Sequence, residues 1–478
     1  MRTRLLLVAL AILVLAGGPA GQPVFTGLEI FPPEEFAARR TRVMDRIGDA
    51  VAVLQGTSER PGEQPLRQAN QFFYLTGVVE PRALLVIDGH AKRSTLFLLP
   101  KNDRRERSMF GVGLGPGPDA ARATGIESVL ARDAFAAAIA EVGQDGRRIV
   151  TPFRPEVLGE ASSSDPAALW RATANDPWDG RMSREQAFIA KLKAAAPRSE
   201  MTDLDPILDA MRVVKSPREI AVLRQSGRIA GLGVIEAMRE ASPGLYEYEL
   251  QAAADFVFKK HGAYGPSYFG LIATGPNTYY SHYHKGTARL AEGDLVQMDY
   301  GADYKYYQSD ITRVFPANGR FTPRQREYYS ICLELYRAMM TSIRVHAAPA
   351  AILRDAVVKM DRILSTFAFA DPKIKAAAVD YVERFRKSSA TSLGHAIGME
   401  VHDVGGPAQF ATLEPGQLFC IEPAMRLEDE HLGIRIEDTI LMTETGYESL
   451  TGFVPIEIAD IEKTMKKTGP GKGKSLPE

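Results

Sequence analysis

Short apolar runs alternate with helix-period stretches through the first third of the chain. Residues 32–47 predict a helix, opened by Pro32-Pro33, with Glu34 and Glu35 suiting its N-terminal dipole. Strands are then predicted at 50–54, ending at Gly56, at the aromatic run 72–78 with a kink at Gly77, and at 83–87 and 95–99, paired about Asp88-Gly89. Residues 120–124 and 134–142 have a helical pattern, and 148–153 reads as a further strand. Strands interleaved with helices predict an α/β layer domain. Residues 158–184 carry both tryptophans, Trp170 and Trp178, in a polar stretch that reads as a long loop. That loop could line a binding surface, cover another subunit or simply be anchored by its rings.

Ser216-Pro217-Arg218-Glu219 is a capping box with Pro at the first helical position, and the domain boundary is placed just before it, near 204–213. Helices are predicted at 246–258, 322–345 and 350–364. Between them, 298–310 reads as a β-hairpin: 295–298 leads in, 302–305 turns and 311–315 leads out. A turn centred on Tyr304-Lys305 sets Asp299 and Asp310 opposite each other, with Cβ atoms roughly 4.5–5.5 Å apart. Like charges so placed destabilise a sheet, so the pair makes sense with cations between the side chains. Residues 433–441 alternate as one strand, with Ile434, Ile436 and Ile440 on its apolar face and Arg435 and Glu437 on its polar face. Phe419-Cys420-Ile421-Glu422-Pro423 is a strand ending in a carboxylate, and Gly394-His395 places an imidazole beside glycine.

Composition adds bounds. The chain has 478 residues and a formal net charge of −1, with no basic stripe to suit a nucleic acid. Arg2 and Arg4 precede the apolar run 5–16, and Gly18-Pro19-Ala20 offers small residues for cleavage, a secretory signal pattern too short to span a membrane. Export to a periplasm or to the medium is therefore expected, with no membrane anchor after processing. The two cysteines, Cys332 and Cys420, offer no disulfide framework, and buried thiols are the default. Asp299, Asp310, Glu422 and Glu437 bring four negative charges and His395 a neutral nitrogen, a balance that two divalent cations would meet. Oxygen-rich ligation with one imidazole suits Mn²⁺, with Co²⁺, Zn²⁺ or Fe²⁺ as alternatives. Two such ions can share carboxylates and a bridging hydroxide that attacks a polarised carbonyl.

These segments, with Phe72-Phe73-Tyr74-Leu75-Thr76-Gly77, Val213 to Ile220 and Val401-His402-Asp403-Val404-Gly405, resemble the pita-bread-fold metallopeptidases, in the Xaa-Pro aminopeptidase and prolidase branch. The resemblance spans about 32–465. It implies an α+β fold: a signal peptide over 1–20, a smaller α/β N-terminal domain over 21–204, a pita-bread catalytic domain over 205–465 and a disordered tail over 466–478. It implies Asp299, Asp310, His395, Glu422 and Glu437 as ligands to two metals, with Glu422 also a proton shuttle. His282 is implied as a substrate contact, preferred over His284. His402 is implied to steady the tetrahedral intermediate, and Arg435 to lie behind the ligands or face the substrate. The implied reaction is hydrolysis of an N-terminal Xaa-Pro bond in a peptide with proline second, by a homodimer or homotetramer. Prolidase, restricted to dipeptides, and a non-catalytic peptide-binding module are the alternatives. Thr391 departs from the family, which commonly has His four residues before the metal-binding one, and this puts strict proline preference in doubt.

Overall fold

The computed structural model describes residues 27, 29–59, 65–102, 113–157, 164–387 and 393–466. The expected signal peptide, Thr391 and all but the first residue of the expected tail lie outside them.

The N-terminal unit is built on a six-stranded sheet of β1 (Val51–Gln55), β2 (Leu84–Asp88), β3 (Arg93–Leu98), β4 (Ser128–Ala131), β5 (Ile149–Thr151) and β6 (Met201–Asp203). Their order is β4-β3-β2-β1-β5-β6. β1, β2 and β3 are joined antiparallel, whereas β4, β5 and β6 add in parallel, the mark of helical crossovers. Strand alternation divides β1 between two cores: Ala52 and Leu54 face the helices Pro33–Ile47 and Asn70–Thr76, while Val51 and Val53 face Phe135–Gln144 and Arg184–Ala195.

Two expectations fail here. The aromatic run taken as a strand is the helix Asn70–Thr76, closed by Gly77 at φ 65° with its N–H on the Phe73 carbonyl. Phe72, Phe73, Tyr74 and Leu75 are all buried, so the run carries no alternation, and a continuous apolar stretch does not tell a strand from a buried helix. The stretch read as a long loop holds the helix Ser164–Asn175 and leads into Arg184–Ala195, which starts at a Ser183–Gln186 capping box. Trp170 is half-buried on the first of these helices, and Trp178 is 96% exposed.

The C-terminal unit has three small antiparallel sheets and a two-stranded ribbon, backed by the helices Pro217–Glu240, Glu247–Lys260, Pro323–Met340, Pro349–Thr366, Pro372–Lys387 and Ile458–Met465. The last two were not foreseen. The sheets are formed by β7 (Gly265–Pro266), β8 (Leu271–Thr274), β9 (Leu295–Asp299), β10 (Ala302–Tyr304), β11 (Tyr307–Gln308) and β12 (Thr312–Pro316). β13 (Leu418–Ile421), β14 (Ala424–Leu427), β15 (Leu432–Arg435), β16 (Asp438–Thr443) and β17 (Gly446–Ser449) complete the set. The single strand expected over 433–441 is two: β15 pairs with β14, and β16 pairs with β13. The chain changes sheet at Ile436-Glu437, where Arg313, fully buried, donates to the Glu437 carbonyl at 2.6 Å and the Asp438 carboxylate at 2.8 Å. One core runs across both units, joining Phe73 and Leu75 to Tyr306, Tyr307, Ile397 and Leu418, and Phe73 stacks on Tyr306 at 3.7 Å.

A buried ion cluster fastens the same seam. On the helix Asp205–Arg212, which occupies the expected boundary, Arg212 reaches Glu400 at 2.9 Å and Asp403 at 2.5 Å, and Lys215 reaches Asp403 at 3.2 Å. Removing one partner of a buried pair strands the others in low dielectric. Arg212→Met is expected to cost about 3–5 kcal/mol in urea denaturation; a cost under about 1 kcal/mol would rank the cluster with surface pairs.

Candidate metal centre

The five implied ligands come from four pieces of backbone. Asp299 ends β9 and Asp310 precedes β12. The hairpin turns at Lys305 and Tyr306, both at positive φ, one residue later than expected. Asp299 therefore pairs with Thr312 rather than with Asp310. The two carboxylates meet all the same, because the hydroxyl of Tyr268 lies within hydrogen-bond distance of Oδ1 of each. Gly301 makes this possible: a Cβ there would collide with the Ser309 carbonyl. Gly394, at φ 140°, would likewise drive a Cβ into the Cys420 carbonyl, so only glycine lets the His395 segment lie against β13. Glu422 follows β13, and Glu437 sits at the crossing between β15 and β16.

His395 Nε2 is the hub. It stands 3.5 Å from Asp310 Oδ2, 3.6 Å from Glu422 Oε1 and 3.8 Å from Glu437 Oε1, while Nδ1 lies 3.1 Å from the Ala396 carbonyl. A proton on Nδ1, donated to that carbonyl, leaves Nε2 as the atom that would give up its proton to hold a cation. Arg435 pairs with Asp299, lies 3.3 Å from Glu422 and donates to Thr312 Oγ1 at 3.2 Å; Thr312 in turn donates to Glu437 Oε2 at 2.6 Å. Glu437 Oε1 is buried and makes no hydrogen bond. A buried carboxylate oxygen left without a donor is costly, and a cation is the natural partner for it.

The electrostatics say the same. Burial, with the Glu437 charge next, holds the Asp310 carboxyl well above the usual range. Burial and Glu437 also push Glu422 up to about 7. Burial would lower His395, but the carboxylates of Glu437, Glu422 and Asp310 outweigh it and raise the ring to about 10. The pocket thus asks for positive charge, and protons supply it where cations do not. This donor set of oxygens with one imidazole fits divalent metal ions.

His402 lies beside the hub, ring centroids 4.3 Å apart, and burial with the nearby His395 lowers it to about 4, so it is neutral near pH 7. His282 keeps much of its surface in solvent, and partial desolvation of its ring, followed by the Arg435 charge, lowers its pKa. Its loop is tied down by Arg426, which bonds the Tyr279 carbonyl at 3.0 Å and the Ser281 hydroxyl at 2.5 Å. His284 turns back, its Nδ1 at 2.9 Å from the His282 carbonyl. Sequence reasoning missed Tyr268 and Thr312. Neither has a pattern to betray it, since one hydroxyl in an apolar stretch looks the same whether or not carboxylates fold over it.

Comparison with known proteins gives the family. Metallopeptidase family M24 matches residues 221–444, and the aminopeptidase P N-terminal domain matches 36–150. The Xaa-Pro aminopeptidase of Haemophilus influenzae is 32% identical over 457 residues, covering 91% of this chain and 97% of that protein. The chain belongs to the Xaa-Pro aminopeptidase family. It shares the two-domain aminopeptidase P fold, with an α/β N-terminal domain and a pita-bread catalytic domain, and is a metallo-aminopeptidase. The aminopeptidase PepP of Pseudomonas aeruginosa superposes with a TM-score of 0.70 at 29% identity, over 91% of this chain and 98% of that one. Zinc-substituted aminopeptidase P from E. coli, solved with product, superposes with a TM-score of 0.69 at 29% identity, over 91% and 98%.

A pH signature follows. Glu422 and His395 have folded pKa values raised above their ordinary values of 4.5 and 6.5, so their stabilising protons are bound below those values and lost as pH rises through about 7 and about 10. Chelator-stripped protein should therefore melt at progressively lower temperature from pH 6 to pH 9, and added divalent metal should raise Tm more at pH 9 than at pH 6. A flat profile for stripped protein would contradict the charge assignment.

Proposed function

We propose that this metallo-aminopeptidase is dinuclear and hydrolyses the bond between an N-terminal residue and a proline in second position. The observation that carries the reading is the convergence of Asp310, Glu422 and Glu437 on His395 Nε2, with Glu437 Oε1 lacking any donor and Asp299 joined to Asp310 through Tyr268. Asp299, Asp310, His395, Glu422 and Glu437 would hold the two cations. When bound, the pair neutralises these carboxylates, lowers the pKa of a water and polarises the scissile carbonyl. The oxygen-rich set favours Mn²⁺ for the pair as a whole.

The protein groups do the rest. Glu422 is the one ligand carboxylate open to solvent, its side chain 32% exposed against 1% for Glu437. It can accept the proton of the attacking water and deliver it to the leaving amine. His402, neutral beside the hub, can donate a hydrogen bond to the oxygen that gains charge at the scissile carbon. His282 faces the substrate from its tethered loop. Arg435 holds Asp299 and Glu422 in place and balances part of their charge.

The early Arg2–Arg4 and apolar 5–16 pattern supports export, and the family resemblance supports a homodimer or homotetramer. Recovery of the protein in the cytoplasmic fraction with residues 1–20 still attached would remove the export reading. Light scattering that returns a monomer would remove the assembly reading.

Protein stripped with chelator should lose peptidase activity and regain it with Mn²⁺. It should then cut Xaa-Pro-Xaa tripeptides well, and Xaa-Pro dipeptides and Xaa-Ala-Xaa poorly. Dipeptides alone would make it a prolidase, and equal cleavage of alanine substrates would point to Thr391. Glu422→Gln with metal still bound should lower kcat by roughly 10²–10⁴-fold. Activity that survives verified metal removal would overturn the reading.

A further inference from the structure

Cys420 has no part in the chemistry above, yet its sulfur stands among the ligands. It is the third residue of β13, and strand alternation turns it to the same side as Glu422, two residues on. One donor atom from each of Asp310, His395, Cys420 and Glu437 lies within 4.8 Å of the other three. Two edges of the group are 3.5 Å and 3.8 Å, from His395 Nε2 to Asp310 and to Glu437. A tetrahedral ion with ligands at about 2.0–2.3 Å has ligand–ligand edges of roughly 3.3–3.8 Å. The two edges from the nitrogen already stand at that spacing, and the remaining edges, all within 4.8 Å, have to close by little more than about 1 Å.

The side chain is free to do so. Cys420 forms no disulfide and is fully buried. Among the described residues its hydrogen-bond contact is Thr439 Oγ1 at 3.4 Å, and that hydroxyl spends its proton on the Asp310 carbonyl at 2.7 Å. The thiol is then the donor in a weak contact, and the sulfur lone pairs stay open to a cation. Glu437 Oε1, buried with no partner within hydrogen-bond distance and only His395 Nε2 facing it at 3.8 Å, also marks a ligand at this spot.

We propose that Cys420 is a sulfur ligand for the cation held by Asp310, His395 and Glu437, and that it biases this half of the centre toward Zn²⁺, Co²⁺ or Fe²⁺ over Mn²⁺. The inference rests on the dinuclear reading above and deepens it. Thiolate sulfur prefers softer, later divalent metals, whereas the Asp299 side keeps oxygen donors that suit Mn²⁺. The two halves therefore differ in softness, and a mixed pair of metals is the expected loading. As the sulfur–metal bond forms, the thiol proton leaves to solvent.

Cobalt reports on this directly. Titrating Co²⁺ into chelator-stripped, full-length protein should give a near-ultraviolet sulfur-to-cobalt charge-transfer band with the first equivalent bound. Cys420→Ser should bind Co²⁺ without the band, and Cys420→Thr should lower the preference for Zn²⁺ over Mn²⁺ in competition dialysis by at least ~10-fold. Should either variant fail to fold, the wild-type spectrum still decides. Cobalt bound stoichiometrically by the wild type without the band overturns this inference alone. Failure of the wild type to bind cobalt at all overturns the dinuclear reading and this inference together.

Discussion

Four carboxylates share one pocket with an imidazole, and the protein's own charge does not balance them. Among the described residues only Arg435 brings a guanidinium to Asp299 and Glu422. Asp310 and Glu437 share a buried space, and burial first, then the Glu437 charge, holds the Asp310 carboxyl well above the usual range. A fold does not assemble such a group without something to place between its members. The surrounding structure reads as the means of keeping the acids close: Tyr268 across Asp299 and Asp310, Thr312 on Glu437, and Arg313 locking the crossing where Glu437 leaves one sheet for another.

The N-terminal unit is joined to this centre by more than a linker. Arg212 and Lys215 hold Asp403, the neighbour of His402, so the loop that carries His402 is anchored on the seam between units. The packing of Phe73 on Tyr306 ties the same seam to the turn of the Asp299–Asp310 hairpin. Substrate-facing groups thus take their positions from interdomain contacts, whereas the ligands take theirs from the C-terminal sheets. Changes at the seam should disturb substrate handling before they disturb metal binding.

Much of this was legible in the chain itself, for a physical reason. Carboxylates inside apolar strands are disfavoured unless a partner repays them, so Asp299, Glu422 and Glu437 stand out against their neighbours. Capping boxes such as Ser216–Glu219 mark helix starts equally well. The helix Asn70–Thr76 escaped because every residue from Phe72 to Thr76 is buried, and a wholly buried segment shows no period. The strand break at Ile436-Glu437 escaped because alternation continues straight through it, and the separate pairings of β15 and β16, with Arg313 bonded at the crossing, are tertiary. Tyr268, Thr312 and Cys420 are ordinary residues in ordinary places until the fold brings them against the acids.

Metal stoichiometry tests the central claim most directly. Elemental analysis of protein equilibrated with a divalent metal and freed of excess should return two ions per chain for the wild type. For Asp310→Asn, which removes the carboxylate that touches both the Asp299 side and the His395 side, it should return one or fewer. A single ion in the wild type, or two retained in the variant, would contradict the account.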